Sequence, residues 1–258
     1  MQLPQLSSLG TLAPALCARA IVRAEEGDAD GAIEDLHAIF SICRHLGEVP
    51  LITSQSIRFG IVGMGLTALE EVLPSLDPAT GAIERIKLDD VRGGVAIGLR
   101  GQILLALSEE MSSAISSLPY FKSKIAYLVR YHMASIAAMK LPYVEAREEM
   151  AKIRSKVDQD RRFLGSAFTS VVGLDHNTPM KLGFREGKRA CQTAMARAAA
   201  LLLDHLRAGG STTVDLSELG APVDPVTGEP FTVVVVGSFL VLRSSDVEPM
   251  QWRIEWDE

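Results

Sequence analysis

Helix periodicity on both sides of an explicit stop and start makes Leu12 to Gly47 a helical hairpin, the strongest constraint this chain places on its own fold. Leu12, Leu16, Ala20 and Ala24 recur every four residues, which predicts one apolar stripe along a first helix. Glu25-Glu26-Gly27 ends that helix. Asp28 then carries a side-chain oxygen able to cap the free N–H groups that open a second helix. In the second helix Ala29, Ala32, Ile33, Leu36, Phe40 and Cys43 fall on one face. Asp30 and Glu34 suit its N-terminal end and Arg44 and His45 its C-terminal end, because the helix dipole favours those charges there. Gly47 is expected in the left-handed closing position, and Glu48-Val49-Pro50 breaks the chain before a third helix.

The third helix is predicted over residues 51–73, with Pro74 ending it. It contains Gly60, Gly63 and Gly65. These lack the strand, the spacing and the Gly-Lys-Ser/Thr sequence of a phosphate loop, so they are read as small residues that admit a neighbouring helix. Asp77-Pro78 is read as a cap followed by proline at the first helical position. Gly81-Ala82-Ile83-Glu84 echoes Gly31-Ala32-Ile33-Glu34. Further helices are predicted over residues 91–117 (Val95, Leu99, Ile103, Ala106, Leu107, Met111 and Ile115 apolar), 122–139, 143–157 and 186–206. Asp175 to Pro179 reads as a turn. The last helix carries Ala190, Ala194, Ala198, Leu201, Leu202 and His205 close to one stripe, and Arg207 to Gly210 ends it.

From there the pattern shortens. Phe231 to Val236 is a β-branched run, Gly237-Ser238 suits a type II′ hairpin turn, Phe239 to Arg243 returns, and Trp252, Ile254 and Trp256 alternate. The expected fold is therefore mainly α, a repeat-like multi-helix array with a small C-terminal antiparallel β module. The expected division is a helical domain at 1–208 and a β module at 209–258, the module packed on the last long helix. Composition agrees: 47% of residues are hydrophobic but only 5% aromatic, which favours packed helices over a large β-sandwich.

A net charge of −6 with both signs well mixed gives no basic surface, so no nucleic-acid partner is expected. No apolar run reaches the ~20 residues of a membrane span, and Met1 to Leu6 lacks the pattern of a signal peptide. The expected location is the cytoplasm, or the cell envelope if an export segment has been removed. Cys17, Cys43 and Cys191 form no metal-spaced cluster and are expected as buried thiols. Cys17 and Cys43 are offset by roughly 7 Å along the hairpin, on axes ~8–10 Å apart, too far for a disulfide.

Catalytic signatures are missing: there is no GxSxG, Walker, kinase or HExxH sequence. His37, His45, His132, His176 and His205 are scattered, and Asp89-Asp90, Glu109-Glu110 and Glu148-Glu149 are read as solvated pairs. Tyr127, Arg130, Tyr131 and His132 form the densest polar-aromatic cluster, with Tyr127 and Arg130 sharing a face. No catalytic, cofactor-binding or metal-binding residue is assigned. The favoured expectation is a non-catalytic helical scaffold that binds a protein or peptide. The alternative is an enzyme or small-molecule binder with an inter-helix pocket near Arg130 and His132.

Three resemblances stand beside these readings. Glu26-Gly27-Asp28 with Ala32, Ile33 and Leu36 resembles the inter-helix turn of a tetratricopeptide repeat. Leu216-Ser217-Glu218-Leu219, Val223-Asp224-Pro225-Val226-Thr227-Gly228-Glu229-Pro230-Phe231 and Phe239-Leu240-Val241-Leu242 together are similar to the C-terminal module of type II secretion major pseudopilins. That likeness implies a short sheet after a long helix, followed by a calcium loop. The corresponding loop here holds only Asp246 and Glu248 as acids, so no metal is expected. His45-Leu46-Gly47-Glu48-Val49-Pro50-Leu51-Ile52, with the hairpin before it, resembles a group of uncharacterised, largely helical bacterial proteins, which implies a fold and no activity.

Overall fold

The computed structural model describes residues 4–111, 119–164, 178–245 and 250–255. It is mainly helical, with a three-stranded antiparallel sheet at the C-terminal end. The described helices are α1 (Pro4–Glu25), α2 (Ala29–Glu48), α3 (Ile52–Val72), α4 (Ala79–Ile86), α5 (Gly94–Met111), α6 (Pro119–Ala138), α7 (Tyr143–Leu164) and α8 (Thr178–Arg207). The strands are β1 (Thr232–Val236), β2 (Phe239–Arg243) and β3 (Gln251–Glu255). The chain forms two compact units. One comprises Met1–Glu48, Ile57–Val91 and Gly187–Glu258, the other Val49–Ser56 and Arg92–Glu186. The passage from helix to sheet at residues 208–209 lies inside the first unit. The turn expected at 175–179 falls mostly outside the described residues, as do residues 112–117 of the long helical pattern. Thr178 and Pro179 open α8, eight residues before the expected start at Glu186.

In the first unit the predicted hairpin is closed by backbone chemistry. Gly27 adopts φ +83°, Gly27 N–H donates to Ala24 O at 3.1 Å, and Asp28 N–H donates to Arg23 O at 2.8 Å. This pair of bonds is the Schellman arrangement, which needs a left-handed residue between them. Asp28 Oδ1 then accepts from Gly31 N–H at 3.0 Å and caps α2 as predicted. Ala32, Ile33, Leu36, Phe40 and Cys43 are buried on the expected face.

The α1 stripe is rotated from the expected one. Ala13, Cys17 and Ala20 are buried, while Leu12 is 46% exposed. A strict four-residue step drifts by about 40° each time around a 3.6-residue helix, so Leu12 leaves the contact line that Cys17 and Ala20 keep. Gly47 is also corrected. It is helical, α2 continues to Glu48, and the position is reserved for another reason: a Cβ there would sit 2.9 Å from Cζ of Arg58.

From Arg58 onward α3 is buried on all sides but a narrow line through Gly60, Thr67 and Glu71. Two of its glycines fit the expectation of close approach. A Cβ on Gly65 would lie 3.0 Å from Ile39 Cγ2, and one on Gly63 only 2.2 Å from the Arg189 guanidinium. Asp77 does not cap α4. Pro78 occupies the cap position and brings no side-chain hydrogen bond. The cap comes from α8, where the Asp204 carboxylate accepts Ala79 N–H at 2.7 Å and Thr80 N–H at 2.9 Å.

The sheet has the order β1-β2-β3, and Val236 pairs with Phe239 across Gly237-Ser238. Gly237 has φ +61° and Ser238 no positive φ, so the turn is the expected type II′. Leu240, Leu242, Trp252 and Ile254 are buried on one face; Trp256 lies outside the described residues. β3 meets the 3-10 turn Leu73–Ser75 that follows α3, and Arg253 N–H donates to the Glu70 carboxylate at 2.7 Å. That anchor was not named from the sequence, where the Ala-rich face of α8 was the expected partner.

In the second unit the first turn of α3 packs closely on α5. A Cβ on Gly98 would lie 3.0 Å from Ile52 Cα, and one on Gly101 would overlap the Pro50 carbonyl. The start of α5 is capped by Glu186, which accepts from Gly93 N–H at 2.5 Å and Val95 N–H at 2.9 Å. Val95, Leu99 and Ile103 are buried as predicted, whereas Leu107 is 41% exposed.

Candidate functional site

The polar-aromatic cluster on α6 is built by a helix whose successive residues face different surroundings. Tyr127 turns toward α7, where its hydroxyl donates to Asp160 Oδ2 at 3.1 Å. Burial, with that hydrogen bond second, pushes the phenol pKa up to about 12. Arg130 is exposed, and its Nε–H donates back to Ala126 O at 3.1 Å. Tyr131 lies with its ring centroid 5.3 Å from that of His132. His132 points inward and is fully buried together with Ser135 and Ile136. The predicted Tyr127/Arg130 pair is therefore divided between an inter-helix bond and solvent, and Arg130 and His132 do not converge.

His132 is the unusual group. Neither Nδ1 nor Nε2 has a hydrogen-bond partner among the described residues. Burial without a counter-charge lowers its pKa from 6.5 to about 4, so the imidazole is neutral at physiological pH. A neutral buried imidazole could accept or release a proton; the Ser135 hydroxyl, one turn along the same helix, is committed to Tyr131 O at 3.0 Å. On the surface of α7, Lys152, Ser155, Lys156, Gln159 and Asp160 line an open groove of about 500 Å³. Its residues recur at helical spacing along one face, and it lies open to solvent.

A second polar centre lies in the first unit, and sequence reasoning missed it. Arg58 and Asp89 are both buried and form a bidentate pair, Nε to Oδ2 at 2.7 Å and the second guanidinium nitrogen to Oδ1 at 2.9 Å. The guanidinium also donates to Asp90 O at 2.7 Å. Asp89 is thus no solvated surface acid, because Arg58 is placed to neutralise it. The nearby Cys43 thiol is raised above its ordinary pKa, first by burial and then by the Asp89 charge, so it stays protonated and inert. Asp35 is another buried acid, held by Arg19 Nε at 2.8 Å. The only sequence signal for these pairs was an acid or a base interrupting an apolar helix face.

The remaining candidates do not assemble. His37 Nδ1 lies 3.0 Å from Arg85 O, His45 is exposed, His205 is half-buried at the end of α8, and His176 lies outside the described residues. Glu149 bridges Lys152 at 3.1 Å on the surface, and nothing is described for the side chains of Glu109 and Glu110. Cys17, Cys43 and Cys191 are buried, and no disulfide joins them. Among the described residues no three His, Cys, Asp or Glu side chains gather as a metal site, and no helix is long and apolar enough to cross a membrane. Asp246 and Glu248 lie outside the described residues. No family model, no curated protein and no solved structure matches the chain.

Proposed function

We propose that this protein is a non-catalytic helical scaffold that binds a protein or peptide partner. The observation that carries the proposal is apolar surface left facing solvent. On α5, Leu104 is 65%, Leu105 44% and Leu107 41% exposed. Large side chains gathered in one stretch of surface mark interaction sites more often than isolated ones do. The buried acids Asp35 and Asp89, by contrast, are tied up by arginines. The tetratricopeptide-like hairpin and the pseudopilin-like module belong to the same proposal, as interaction architectures.

The test is chemical crosslinking of the native protein in its own cells, followed by purification and mass spectrometry. The expected result is a stoichiometric protein partner whose crosslinks are lost when Leu104 is changed to Glu. A chain that purifies alone, with or without crosslinker, would overturn the proposal. A small-molecule or enzymatic role has one observation in its favour, the buried and unpartnered His132 ring. It requires a ligand that reaches that ring, which titration of the His132 NMR signals against candidate metabolites would detect.

A further inference from the structure

The two edges of the C-terminal sheet are treated in opposite ways. Along β3 the outward residues are Gln251, Arg253 and Glu255, and the outward N–H of Arg253 is already taken by Glu70. Charges and a bound backbone donor are the devices that keep a sheet edge from recruiting another strand.

On β1 neither device is present. Its sequence is Thr232-Val233-Val234-Val235-Val236, without a charge, a proline or a bulge. Closing a two-residue loop makes Val236 and Phe239 a hydrogen-bonded pair, and such pairs alternate along the ladder. Val234 and Thr232 therefore bond inward to β2, while the N–H and C=O groups of Val233 and Val235 point away from the sheet. Among the described residues, no backbone hydrogen bond outside the ladder reaches Thr232–Val236. Beside this edge stand Val235, Val236 and Phe239, exposed by 56%, 49% and 40%.

We infer that the β1 edge is a strand-addition site that takes a short extended peptide segment of a partner protein, uncharged and apolar at alternate positions. The open donors and acceptors at Val233 and Val235 are those of a missing neighbouring strand, which supplies the backbone part of the recognition. The apolar side chains come from geometry. A residue of the added strand opposite Val233 or Val235 falls on the face that carries Leu240, Leu242, Trp252 and Ile254, and it extends that apolar face outward.

Size decides between a peptide and a second copy of this chain. A five-residue edge with three exposed apolar side chains offers far less than the ~800 Å² per partner of a standard stable interface. It is enough for a strand and too little to hold two whole chains together. The inference rests on the partner-binding proposal above but not on the exposed leucines of α5.

The experiment titrates the isotopically labelled full chain with a synthetic peptide of alternating valine and threonine, ended by lysines, and follows amide shifts and hydrogen exchange by NMR. The expected result is a saturable shift centred on Val233 to Val236, with at least about tenfold slower exchange at Val233 and Val235. Val235→Pro removes only an outward N–H, which an edge strand tolerates, and should abolish the shift while the fold persists. Val235→Lys, which leaves the backbone donor in place, should weaken it. The inference is overturned if the free chain already protects those two amides, whether as a monomer or as a concentration-dependent dimer. It is equally overturned if peptide shifts appear elsewhere, or if Val235→Pro binds as well as the parent. A crosslinked native partner retained by Val235→Pro would remove the β1 site and leave partner binding standing. No partner with an intact peptide response would do the reverse.

Discussion

The two buried polar centres solve the same problem differently. Arg58 and Asp89 lie in the apolar interior of the first unit, and each hydrogen-bonds the other's charge, with Gly47 leaving space for the guanidinium. His132 lies equally deep in the second unit with no partner for either ring nitrogen. In the pair, each charge faces its opposite at hydrogen-bond distance, and that attraction offsets the loss of water. The imidazole avoids that loss by remaining neutral. A buried ion pair is thus fragile to the loss of either partner, whereas a lone buried histidine has no partner to lose and answers to pH instead.

The sharpest way to break this contrast is Asp89→Ala, which strands the Arg58 charge in the core. The expected loss is about 3–5 kcal/mol of unfolding free energy in denaturant titration. Replacing both members, Arg58→Met with Asp89→Leu, should recover most of it. If the single variant is as stable as the parent, the pair is not desolvated in solution.

Acid is the matching test for His132. Its pKa is lowered from 6.5 unfolded to about 4 folded, so the unfolded chain binds the extra proton. The stabilising contribution is complete above pH 6.5, falls as pH drops through the interval, and is gone below about 4, a change of order 3 kcal/mol. His132→Phe should flatten the stability curve between those limits and leave stability at pH 7 unchanged or higher. An unaltered slope would place the ring in contact with water.

The smallest effect contrasts two acids near the start of α4. Burial raises the Asp204 carboxyl, but hydrogen bonds from Thr80 and Ala79 and the Arg207 charge outweigh it and hold the pKa below its ordinary value. Asp204→Ala should cost roughly 0.5–2 kcal/mol, the range for a lost helix cap. Asp77 is 79% exposed with its nearest cation 3.7 Å away, and Asp77→Ala should stay within about 0.5 kcal/mol in thermal melts. Equal losses would return the capping role to Asp77.

The local features were legible. The Gly27-Asp28 turn, the buried face of α2, the helix order and the Gly237-Ser238 hairpin all follow from residues within one turn of each other. The errors share a cause. Gly47 and Asp77 carry the residue types of helix punctuation, yet one position clears space for Arg58 and the other yields its cap to a distant acid. For the candidate site, spacing showed that Tyr127 and Arg130 share a side of α6. It could not show that Asp160 would claim the tyrosine or that His132, two residues further, would face inward.

By itself, then, the sequence determined the order and type of helices and strands and which residues are apolar enough to be buried, because hydrogen bonds and side-chain periodicity act over three or four positions. Only the tertiary structure decided which polar groups meet. Glu186 reaches Gly93 across 93 positions and Asp204 reaches Ala79 across 125, so that two helix starts borrow their caps from α8. Such pairings depend on the rotation and axial offset of packed helices. A few tens of degrees about a helix axis, invisible to local periodicity, is the difference between a buried ion pair and a solvated acid.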